Sequence, residues 1–72
     1  MTNGIEVQVQ SILAAITQKY VMTDLKIPPE VLVLKDEVMD IFVKAKNEND
    51  PEVIARYEHR LGEIRESVIA GD

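Results

Sequence analysis

The stretch Pro29–Lys46, PEVLVLKDEVMDIFVKAK, is the most apolar part of this chain, and its pattern leaves few folds open. On a helix, at about 100° per residue, Val31, Leu34, Val38, Ile41 and Ala45 form one stripe with alternating spacings of three and four. A second stripe, Leu32, Met39, Phe42 and Val43, runs beside the first, with Lys35 between them. Asp36, Glu37, Asp40 and Lys44 fill the remaining arc, interrupted only by Val33. One apolar stripe suffices to dock a surface helix. Two stripes call for two neighbours.

Prolines set the limits of this segment. Pro28-Pro29 stops any helix arriving from the N-terminal side, because neither residue has an amide proton and each disfavours helical geometry before it. Pro29 suits the first position of a new helix, where its missing donor costs nothing, and Glu30 complements the positive end of the dipole. Lys44 and Lys46 suit the negative end. Residues 47–50, Asn-Glu-Asn-Asp, form a short polar turn, after which Asp50 caps, Pro51 opens and Glu52 supports a further helix. In that helix Ile54, Tyr57, Leu61, Ile64 and Val68 alternate at three and four, flanked by Val53, and Gly71 fits its end. A four-residue loop between helices of similar length makes an antiparallel hairpin.

The N-terminal segment is more ambiguous. Asn3 and Glu6 have capping-box spacing, so a helix is expected from about Gly4. Ile5, Val9, Ile12, Leu13, Ile16 and Tyr20 share one face of it. Residues 5–10, Ile-Glu-Val-Gln-Val-Gln, also alternate with period two, as a half-buried strand would. The helical stripe runs on for ten more residues while the alternation stops at Ser11, which favours helix. The predicted helices therefore cover residues 4–22, 29–46 and 51–70, with 23–27 as a connector.

Seventy-two residues make a single small domain, near the size at which one core barely offsets chain entropy. With no cysteine, the chain has no disulfide, thiolate metal site or thiol nucleophile. Such a chain often gains stability by association. A net charge of −5 argues against direct binding to nucleic acid or an anionic membrane, both of which need a cationic surface. No basic segment followed by an apolar run suggests a signal peptide, and no apolar run approaches a membrane span. The expected compartment is the cytoplasm.

Residues that could carry chemistry are sparse. His59, the only histidine, lies in line with Glu63 and Glu66, a cluster able in principle to hold a divalent cation. A solvated helix face with Glu52–Arg56 and Arg60–Glu63 pairs accounts for the same residues. Glu-x-x-His motifs and three-ligand zinc spacings are missing. Ser11 and Ser67 have no histidine at a telling spacing, and Gly4, Gly62 and Gly71 form no phosphate loop. The chain therefore reads as a non-catalytic protein without metal or cofactor. Gly62 aligns with Ala55 and Ile69, either as a column where another backbone approaches or as tolerated helix weakness. The series Arg56, Arg60 and Arg65 is neutralised by Glu52, Glu58, Glu63 and Glu66.

Residues 44–63, with Asp50-Pro51 at the turn followed by Ala55, Tyr57, Arg60 and Leu61, resemble the hairpin of type III secretion needle subunits. The resemblance is confined to those residues and implies a helical hairpin in a homo-polymeric assembly. The chain departs from that family by adding an N-terminal helix and by ending at Asp72, where needle subunits continue as a long helix.

Together these patterns predict an all-α fold: an antiparallel hairpin of the second and third helices with the first packed along it, like a three-helix bundle. The narrow stripe of the third helix is expected to serve one neighbouring groove. Of the two stripes on the central helix, one then faces the third helix and the other the first helix or a second copy. Marginal size favours a dimer. Leu32, Lys35, Met39, Phe42 and Val43 are the expected partner interface, with Lys35 either paired across it or reaching to water over its own stem. The predicted function is a small adaptor, inhibitor or assembly factor acting on a protein partner. The alternatives are a structural subunit of a homo-oligomeric assembly and an acidic decoy that occupies a nucleic-acid-binding protein.

Overall fold

The structure, a computed structural model, describes residues 4–70. Asn3 and Gly71, expected to cap the first and last helices, lie outside the described residues. The chain forms α1 (Gly4–Ile16), continued by a π-helical turn (Thr17–Val21), then α2 (Pro29–Lys46) and α3 (Pro51–Ala70). Among the described residues there is no strand. The period-two alternation is resolved as helix, with Ile5 and Val9 buried at 1 % and 3 % exposure and Val7 turned outward at 55 %. A strand would have placed all three on one face.

The expectation of one regular helix over 4–22 is corrected at Thr17. There the Met22 N–H donates to the Thr17 carbonyl at 2.9 Å, a bond spanning five residues instead of four. The Thr17 hydroxyl donates back to the Leu13 carbonyl at 3.0 Å, offering that acceptor a side-chain partner. Tyr20 stays buried on the same side as Ile16. The helix then ends in a Schellman arrangement, with Leu25 N–H donating to the Tyr20 carbonyl at 2.7 Å and Asp24 N–H to Val21 at 3.2 Å. Asp24 takes the left-handed position, φ 60°, that glycine usually fills.

Both proline starts form as the sequence predicts. Pro28 is extended, and its carbonyl accepts from Val31 and Leu32 at 3.0 and 3.1 Å. Asp50 Oδ1 accepts the Glu52 N–H at 2.9 Å, while its carbonyl accepts from Ile54 at 3.1 Å. Each observation accounts for donors that a bare helix start would leave unpaired.

The three helices run up, down and up. Arg60 meets Glu37 across the α2–α3 hairpin, while Lys19 meets Val68 and Gly4 lies beside Glu58, which makes α1 parallel to α3. The core draws Ile5, Val9, Ile12, Ile16 and Tyr20 from the first segment, Val31, Val38, Ile41 and Ala45 from α2, and Leu61, Ile64 and Val68 from α3. Every buried residue among those described is apolar. The α1–α3 seam is the most extensive, which corrects the expectation that α3 serves one groove only. Leu61, Ile64 and Val68 are buried in the core that α3 shares with both neighbours.

Candidate interaction surfaces

The first stripe of α2 alone meets both neighbours. Val31, Val38, Ile41 and Ala45 are buried and Leu34 packs against them, so α1 and α3 are both served from that side. The second stripe is left uncovered except at Phe42, with Leu32 at 44 %, Met39 at 41 % and Val43 at 57 % exposure. This differs from the expectation that a three-helix monomer would use up both stripes. A single stripe suffices because α1 fits into the angle between α2 and α3 and buries its own face there.

The five predicted interface residues lie on one side of α2, but they are not equivalent. Lys35 is exposed and makes no ion pair among the described residues, in keeping with a stem lying on apolar surface and an ammonium in water. Phe42 is half-buried, with its inner side packed on the core and Lys46 Nζ 4.5 Å from its ring centroid. Asp40 and Lys44 pair at 2.9 Å along the same helix, and that bond holds the Lys44 ammonium above its usual lysine range. The result is an apolar strip with charged edges. Val33, at 66 %, adds a further exposed branched side chain.

At the end where α1 stops and α2 starts, Val21, Met22 and Leu25 are 59 %, 74 % and 60 % exposed. Ile69 on α3 reaches the same end at 55 %, since α3 runs parallel to α1. Lys19 is placed here by the π-helical turn, and its Nζ donates to the Val68 carbonyl at 2.9 Å. It thereby supplies the cation that the last turn of α3 lacks. No local pattern announces this contact, because the two residues meet only through the parallel packing of the first and last helices.

Beside that contact runs an open groove of about 610 Å³ between α1 and α3, floored by Ala14 and Ala15 and edged by Gln18, Arg65 and Ile69. A smaller depression of about 270 Å³ lies over Gly62, between His59 and the carboxylates of Glu58, Glu63 and Glu66. His59 is 80 % exposed and its Nε2 lies 3.8 Å from Glu63. Among the described residues, no three His, Cys, Asp or Glu side chains are placed to hold a metal ion. A Cβ built on Gly62 meets nothing within 4 Å, so no other element approaches its backbone.

The charge pairing departs from the predicted pattern. Arg60 reaches Glu63 at 3.4 Å, as its spacing suggests, but its main partner is Glu37 on the facing helix. The Glu52–Arg56 pair does not form. Comparison with protein-family models, characterised proteins and solved structures gave no match. No described helix is long and apolar enough to cross a membrane.

Proposed function

We propose that the protein is a non-catalytic interaction module that engages another protein through the outer face of α2. The observation carrying this reading is the uncovered strip of Leu32, Met39 and Val43 on a helix whose opposite side already satisfies both neighbours. Exposed apolar residues scattered singly need no explanation, but a strip at helical spacing with charged edges has the form of a helix-in-groove or helix-on-helix contact.

Photo-crosslinking from position 39 in the native host tests the reading. A discrete adduct that disappears with Leu32→Asp or Val43→Asp is expected. Equal adduct from position 39 and from position 52, on the far helix, would remove the assignment.

A structural subunit of a homo-oligomer is the second reading. It is favoured by exposed apolar side chains on more than one face, with Val7 on α1 and Ile69 on α3 joining those of α2.

A further inference from the structure

We propose that the open groove between α1 and α3 receives a helix of another protein, one that carries a carboxylate a turn away from a bulky apolar side chain. The argument starts from Arg65. Arg60 is held by Glu37 and Glu63, but Arg65 makes no ion pair among the described residues, which departs from the expected neutralisation of the arginine series. Its neighbours one turn away on α3 are Leu61, Gly62, Val68 and Ile69, none of them acidic. The facing part of α1 has no charged side chain from residue 7 to residue 18. Glu58, two turns earlier on the same side of α3, lies against Gly4. A guanidinium is thus left at the groove edge with no described carboxylate to match its fork of donors.

Lys19 gives the groove a second cation, placed there by its bond to the Val68 carbonyl, and no described acidic residue lines the groove. In a protein of net charge −5 this is a local reversal of sign. Such an edge selects a partner of opposite charge, and the planar fork of arginine suits a carboxylate in particular.

The apolar lining specifies the rest. Ala14 and Ala15 make a floor of small side chains, and the exposed Ile69 stands one turn along α3 from Arg65. A leucine-sized side chain seated on the alanines against Ile69 leaves a carboxylate one turn away level with Arg65. A helix presents such a pair at a spacing of three or four. Small-molecule sites enclose most of their ligand. This groove, of about 610 Å³, is open above, which favours a protein segment. The inference does not rest on the α2 reading, since it concerns a different face.

The test titrates the isotope-labelled full chain with two synthetic helical peptides while amide resonances are followed. Both peptides have the same leucine face. They differ at one position, a turn from the central leucine, which is glutamate in one and glutamine in the other. The glutamate peptide should bind about fivefold more tightly and shift the amides of Ser11, Ala14 and Arg65. Arg65→Gln should erase that preference and leave the circular dichroism unchanged. Arg56→Gln, on the opposite side of α3, and Val43→Asp should both retain it. Failure of both peptides to bind, equal affinities, shifts centred on the outer face of α2, or a preference that survives Arg65→Gln would each overturn the proposal. So would octanoate binding as tightly at the same amides, which would make the groove a small-ligand site. A dimer in sedimentation equilibrium that Arg65→Gln dissociates would assign the groove to a second copy and overturn it equally.

Discussion

Arg60 holds Glu37 from the facing helix through two nitrogens at once, Nε to Oε2 at 2.5 Å and Nη2 to Oε1 at 2.8 Å. The two residues are equally distant in sequence from the centre of the 47–50 turn, so a regular hairpin brings them level. The fork of an arginine matches the plane of a carboxylate in this geometry, which a lysine would not reproduce.

The hydrogen bond from Arg60 keeps the Glu37 carboxyl below its usual range, while partial burial opposes the shift. Because the folded-state value is the lower one, the unfolded chain binds the proton more tightly. The stabilisation is therefore complete above the ordinary glutamate value near 4.5 and lost as pH falls through it toward the folded value. Urea melts of wild type and Glu37→Gln should differ at neutral pH and converge in acid. High salt should narrow the gap at neutral pH, since both side chains are partly exposed. Parallel curves at every pH would contradict the pairing.

Leu61 has no exposed surface and lies in the core to which all three helices contribute. Truncation to alanine should cost about 2–5 kcal/mol, a large part of what a domain of this size has. Thermal melting by circular dichroism should show a strongly lowered midpoint or no cooperative transition.

Gly62 and Asp24 are each at odds with their backbone. Gly62 lies in mid-helix with open space around its missing Cβ, so Gly62→Ala should raise stability by about 1 kcal/mol. Asp24 occupies a left-handed position, and Asp24→Gly should also raise the melting midpoint. If Gly62→Ala were neutral or destabilising, the open space over that residue would be wrong.

Phe42 and Val43 separate fold from face. Phe42 belongs to the expected partner interface, so Phe42→Asp should weaken association. With the inner side of its ring on the core, Phe42→Asp should also lower the melting midpoint. Val43 is 57 % exposed, and Val43→Asp should melt within about 0.5 kcal/mol of wild type. Similar loss of stability in both variants would show that Val43 is covered.

The helices could be read from the sequence because their ends are marked by residues with strong local chemistry. Pro28-Pro29 and Asp50-Pro51 act within a turn of themselves, so the starts of α2 and α3 need no tertiary information. The core faces were legible for a similar reason, since Ile54 to Val68 and Val31 to Ala45 repeat at helical spacing. What escaped depends on contacts between distant segments. The π-helical turn follows from competition for carbonyls near Thr17 and from the placing of Tyr20, and no local motif announces it. Lys19 at Val68 and Arg60 at Glu37 need the helices to be docked first. The uncovered α2 strip was visible as a surplus, but a sequence could not show that α1 would leave it empty.

The dominance of the α1–α3 seam bears on how the chain reaches this shape during synthesis. A helical hairpin made of α1 and α2 would emerge first, yet the more extensive seam of α1 waits until α3, with Leu61, Ile64 and Val68, has been made. The greater part of the core joins residues far apart in sequence, so it closes late. A nascent chain therefore carries α1 with the part of its apolar side that faces α3 open until nearly all of α3 has left the ribosome, which makes that helix the segment for a chaperone to shelter.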